Sequence, residues 1–207
     1  MNTQSGRSMV EMLGVLAIIG VLSVGAIAGY SKAMMKYKLN KQAEQLNTLV
    51  NAVTRNAHSF DYLKHETFLT PYFIKMGEIP TEMIKSNDYE HLYDIFGQGW
   101  QILYSEDSIY LHIYHEGGSS FFSSNSSDSL AICQNILTVA KENSGNIAAI
   151  LTATANSESY IFGDAVCDRA RNMGYQCLKD LTLDNIYTIC TEQLKGDMVL
   201  FGFNWVR

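Results

Sequence analysis

Residues 12–31 carry no charged side chain, and this run constrains the fold more than anything else in the 207-residue chain. As a helix rising 1.5 Å per residue, Met12–Tyr30 would span roughly 28 Å, close to the hydrocarbon thickness of a bilayer. Such a helix is apolar on every face, which a core helix of a protein this small would not be. A secretory signal peptide is the bland competitor, but it places positive charge first, has a shorter apolar stretch and ends at a small-residue cleavage site. Here only the uncharged Met1–Gly6 and Arg7 come first, and a carboxylate, Glu11, stands at the threshold of the apolar run. The pattern predicts a retained membrane anchor.

The rest of the chain sets further limits. Its length allows one ordinary domain beside the anchor. A net charge of −6 with no basic patch gives no footprint for nucleic acid. Lys32, Lys36, Lys38 and Lys41 gather just past the apolar run, where the positive-inside rule would keep them cytoplasmic. The four cysteines, Cys133, Cys167, Cys177 and Cys190, all lie far beyond the anchor. An even count there points to disulfides in an oxidising compartment, and no C-x-x-C pair suggests a zinc site. Spacing alone leaves all three pairings open. The cysteines and the N-terminal pattern outweigh the lysines, so the C-terminal part is expected outside the cytoplasm.

The segment Gly6-Arg-Ser-Met-Val-Glu11-Met-Leu-Gly-Val-Leu-Ala-Ile-Ile-Gly20 resembles the class III signal of type IV pilins and type II secretion pseudopilins. In that family a prepilin peptidase cuts after the glycine and methylates the new N-terminus, and a glutamate stands at the fifth mature position. The resemblance implies that Met1–Gly6 is a leader, that Arg7 becomes the new N-terminus and that Glu11 is the assembly glutamate. It also implies partners: the prepilin peptidase, inner-membrane assembly machinery and further copies of this chain in a helical homopolymer. The precursor would sit in the inner membrane with its head in the periplasm, and the product would be an extracellular pilus or fimbrium. Three positions depart from the usual pattern. Arg7 replaces the common Phe, Met or Leu, the leader lacks Lys or Arg, and no proline stands near Ala28.

The glutamate's role has a physical reading. A carboxylate in a bilayer costs about 2.5–3.5 kcal/mol at the centre and less near the interface. Pairing with the new α-amino group of Arg7 on a neighbouring subunit would offset that and fix the axial register. Gly14, Gly20, Gly25 and Gly29 would let neighbouring helices approach, and Gly25-x3-Gly29 matches the small-x3-small pattern of membrane helix pairs.

No proline or glycine falls between Ser31 and Phe60, and Met35, Leu39, Ala43, Leu46, Val50, Val53 and Ala57 recur at steps of three and four. One helix is therefore expected from the anchor to about His58, membrane-spanning or assembling over 10–31 and amphipathic over 32–58. The head, 59–207, reads as α+β: the long helix packed on an antiparallel sheet with short helices and disulfides. Its expected elements begin with a short helix at Glu66–Met76 interrupted by Pro71, a turn at Gly77–Pro80, and a hairpin of Trp100–Tyr104 with Ile109–Tyr114. A loop follows at Gly117–Ser127, then a helix capped by Asp128 or Ser129 with the stripe Leu130, Cys133, Leu137 and Ala140. Ile147–Ala153 and Met198–Val206 read as strands and Thr182–Cys190 as a short helix.

Several of these features (Gly77-Glu-Ile-Pro80, Phe96-Gly97, and Leu183-Asp-Asn-Ile186 before Cys190 and Phe201-Gly-Phe203) are similar to a type IVb pilin head. That resemblance implies the pairs Cys133–Cys190 and Cys167–Cys177.

No catalytic constellation is legible. His112 and His115, three apart in a strand, point to opposite faces. Gly97-x-Gly99 lacks the third glycine and following helix of a phosphate loop, and no Gly-x-Ser-x-Gly elbow occurs. The aromatics read as core and subunit contacts. An enzyme, a cofactor and a bound metal are therefore not expected. The expected function is structural: a prepilin cut after Gly6 and polymerised for adhesion, aggregation or motility. The alternatives are a minor pilin or secretion pseudopilin and, in a different class, a membrane-tethered periplasmic binding module that never polymerises.

Overall fold

The computed structural model describes residues 9–61, 63–105, 108–114, 127–154, 157–193 and 198–203. Gly6, Arg7 and most of the Gly117–Ser127 segment lie outside these residues, as do His115 and Trp205. Helix α1 runs from Met9 to Asn56, 48 residues without a break, and hands over to a 3-10 turn at Ala57–Phe60. Two compact units divide inside that helix, Met1–Lys38 and Leu39–Arg207. The second half of α1 is thus part of the head's own core.

In the head unit, α1 buries Leu46, Leu49, Val50, Ala52 and Val53 together with two amides, Gln42 and Gln45. This face is rotated from the expected one: Leu39 and Ala43 are only half-buried. The reason lies in the polar partners that receive the two glutamines, described below.

The sheet contains eight strands among the described residues, in the order β1-β3-β4-β8-β5-β6-β7, with β2 pairing beside β1 on β3. They are β1 (Thr67–Phe68), β2 (Leu92–Tyr93), β3 (Gly99–Ser105), β4 (Ser108–Tyr114), β5 (Ala149–Thr154), β6 (Ser157–Phe162), β7 (Gln176–Cys177) and β8 (Met198–Phe203). Every pairing is antiparallel except that of β6 with β7. The last strand among the described residues, β8, sits in the middle of the sheet, between β4 and β5. This central place suits its alternation, with Val199, Phe201 and Phe203 all buried. Trp100, Ile102 and Tyr104 of β3 and Ile109, Leu111 and Ile113 of β4 are buried likewise, and the Trp100 and Phe201 rings lie 6.4 Å apart.

Helix α2 (Thr70–Lys75) carries Pro71 in its first turn rather than being interrupted by it, because a proline's missing N–H is harmless there. Residues Thr67–Phe68, expected in that helix, instead form β1 along β3. Gly77 closes the helix with φ of +73°, a conformation that favours glycine. Helix α3 (Ser127–Glu142) starts before the expected caps, so Asp128 lies within its first turn, and its buried face is Ser129, Ile132, Cys133, Ile136, Leu137, Val139 and Ala140. Helix α4 (Cys167–Asn172) precedes β7, and α5 (Leu183–Thr188) is started by a capping box in which Thr182 and Asn185 each accept from the other's backbone N–H.

Disulfides join Cys133 to Cys190 and Cys167 to Cys177. The first ties the middle of α3 to the segment after α5. The second closes a loop whose residues 168–176 are exposed except for Ala170.

Candidate assembly surface

In the unit Met1–Lys38, the helix from Met9 onward is apolar and long enough to cross a membrane, and none of its apolar window is buried. Every large apolar side chain from Met9 to Ile27 is at least half exposed. Such a surface is stable in water for no monomer and finds its partners in lipid or in other apolar helices. The polar groups along it are satisfied locally: the hydroxyls of Ser23 and Ser31 donate to the carbonyls of Ile19 and Ile27, at 2.7 and 3.0 Å. Internal satisfaction of this kind is what a hydrocarbon environment demands.

Glu11 lies in the first turn of α1 and is exposed. A carboxylate there complements the positive end of the helix dipole. At about 100° per residue, Glu11, Gly14, Gly25 and Gly29 fall within a sector of roughly 60° on one helix face, whereas Gly20 lies on the opposite side. A Cβ placed on any of the four glycines would meet nothing within 4 Å. A side chain at these positions would thus meet no other part of the chain. Three of the glycines share a face with Glu11; Ile18 stands on that face between Gly14 and Gly25, and Gly25 with Gly29, one turn apart, leaves a notch on which a second helix backbone can rest closely.

The head has polar clusters of another character. Asp88 accepts from the backbone N–H of His91 and the hydroxyl of Tyr93, and lies 3.0 Å from His91 Nδ1. Burial pushes its carboxyl up, but the hydrogen bonds from Tyr93 and His91 outweigh this and hold it below the usual range. Arg171 bridges Asp168 and Asp180, and Asp180 in turn raises the guanidinium's affinity for its proton. His112 sits half-buried in β4, and that burial lowers its pKa. Cys167, Cys177 and Asp180 lie within ligand distance of one another, but both sulfurs belong to the disulfide.

Comparison with protein-family models, with curated proteins and with solved structures returned no match. The fold and this surface define a class: a single-pass-capable helix, exposed over its N-terminal half, joined to an α+β head held by two disulfides. That architecture is compatible with a pilin-like fold.

Proposed function

We propose that this chain is the precursor of a structural, self-assembling filament subunit of the type IV pilin kind, cut after Gly6 and polymerised through α1. The carrying observation is the helix surface itself: uncharged from residue 12 to 31, exposed on all sides, with a carboxylate in its first turn. A plain membrane anchor has no use for that carboxylate. Assembly would move residues 12–31 from lipid into a bundle of identical helices, where both media are apolar and the transfer is nearly balanced. Glu11 then gives direction. In a low-dielectric bundle its charge is tolerable only beside a positive group, and the α-amino group of Arg7 on an adjoining copy supplies one. Only one axial stagger satisfies the pair, so the same contact selects the register. The two disulfides suit a head that works outside the cytoplasm.

Replacing Glu11 by alanine tests this. Cleavage after Gly6 is expected to continue, because the head and the cleavage site are unaltered, while filaments on the cell surface are lost. Normal filaments from the Glu11→Ala variant would remove the register role. A full-length chain that remains in the membrane without forming filaments, wild type included, would favour the tethered binding module.

A further inference from the structure

Two glutamines of α1 are among the most deeply buried side chains in the head, at 0% and 3% exposure for Gln42 and Gln45. Gln42 Nε2 donates to Asp94 Oδ2 at 2.7 Å and to Gln98 Oε1 at 3.1 Å, and its Oε1 accepts from Asn135 Nδ2 of α3 at 3.0 Å. Both ends of the amide are thereby fixed. Asn135 also donates to the carbonyl of Leu39, at 2.9 Å. Gln45 Oε1 accepts from the backbone N–H of Ile95, at 3.0 Å. Asp94 uses its other oxygen to accept from the N–H groups of Phe96 and Gln98, both at 2.9 Å, which holds the tight turn between β2 and β3. Gly97 supports the turn with φ of +79°.

We infer that this cluster is a register clasp: it fixes which residues of α1 lie against the head. Beside the cluster the apolar contacts discriminate poorly. Sliding the helix by four residues would bring Val50 and Val53 to the places of Leu46 and Leu49, apolar for apolar, while nearer the helix end it would carry Thr54 and Asn56 to the buried places of Val50 and Ala52, a further cost to the slipped state. The same slide would bring Leu46 and Leu49 to the places of Gln42 and Gln45. Asp94 would then lose the Gln42 amide while still buried, Gln98 and Asn135 would lose Gln42, and the N–H of Ile95 would lose the Gln45 acceptor. Buried polar groups left unpaired are penalised far more than mismatched methyls, so the polar cluster excludes the slipped state. Specifying register is the best-attested use of buried polar groups among apolar helices. The inference stands apart from the filament reading, since it concerns only residues 39–207.

The test is a distance measurement on the full chain in detergent micelles, with spin labels carried by non-natural residues at exposed Asn51 on α1 and exposed Asp128 on α3. The native protein is expected to give one narrow distance. A variant with Gln42→Leu, Gln45→Leu, Gln98→Leu and Asp94→Asn is expected to add a second population, displaced by up to about 6 Å for a four-residue slip. A single unshifted distance in that variant would overturn the inference. Should it fail to fold, a Leu49→Val change with the clasp intact provides the converse arm. It is expected to keep the single native distance, and a split distance there would equally overturn the idea.

Discussion

Removing the two disulfides one at a time should cost unequal amounts, and the inequality can be worked from the structure. All four half-cystines are buried, at 1–6% exposure, so the cavities left by alanine are similar. What differs is the loop each bond closes: a sequence separation of 57 for Cys133–Cys190 and of 10 for Cys167–Cys177. Chain-entropy reasoning gives about 4.2 kcal/mol for the longer loop and about 2.7 kcal/mol for the shorter, a difference of about 1.5 kcal/mol. For a head of this size each kcal/mol moves Tm by about 2–4 °C, so Cys133→Ala/Cys190→Ala should lower Tm by about 8–17 °C and Cys167→Ala/Cys177→Ala by about 5–11 °C. Thermal unfolding of the full chain in micelles, followed by near-UV circular dichroism, measures both shifts. The long bond holds α3 to the segment after α5, whereas the short one closes a mostly exposed loop. A short-loop variant as unstable as the long-loop variant, or more so, would refute it.

Three further outcomes follow from packing and charge. Burial lowers the pKa of His112, so the stability this residue contributes is complete above its unfolded value near 6.5 and lost as pH falls through it toward the folded pKa. His112→Gln should therefore flatten the loss of urea midpoint between pH 7.5 and 5.5, and an unchanged slope would contradict this. Asp94 behaves oppositely: burial raises its pKa, so its contribution is complete below its unfolded value near 3.9 and lost as pH rises through the folded pKa. Asp94→Asn should remove that decline in a pH 3–7 series of urea midpoints, with an identical series counting against it. A Cβ on Gly163 would lie 1.7 Å from the carbonyl oxygen of Ile147 and 2.8 Å from that of Ser144, whereas one on Gly145 would meet nothing within 4 Å. Gly163→Ala should thus destabilise by about 3 kcal/mol or more and Gly145→Ala by well under 1 kcal/mol, a contrast that thermal melts would show or deny.

The legible parts of this chain are those governed by local rules. The uncharged run, the missing prolines and glycines from Ser31 to Phe60, and the β-rich segments around Trp100 and Ile109 each predict an element by period and composition. The structure has those elements. Long-range pairing was not legible. Nothing in Met198–Phe203 says that it enters the sheet between β4 and β5, and β6, β7 and α4 lack the strong periodicity that would announce them. Pro71 reads equally as a helix start or a break until β1 finds β3. On the assembly surface, the shared face of Glu11, Gly14, Gly25 and Gly29 follows from helical spacing, and so does the exclusion of Gly20. The clasp leaves one trace in the sequence. Gln42 and Gln45 share the phase of Leu46, Leu49 and Val53, and a polar residue in a buried phase signals a buried partner. Its identity, the Asp94–Gln98 turn some 50 residues onward, needed the fold.

Assembly as proposed requires that α1 be freed at its N-terminus and then pack against copies of itself. Intact-mass spectrometry of the filamentous fraction sheared from the native host's surface addresses it directly. The expected result is a chain beginning at Arg7, with or without a methyl group, as the repeating component of those filaments. A chain still beginning at Met1, recovered only from membranes and never from filaments, would contradict it.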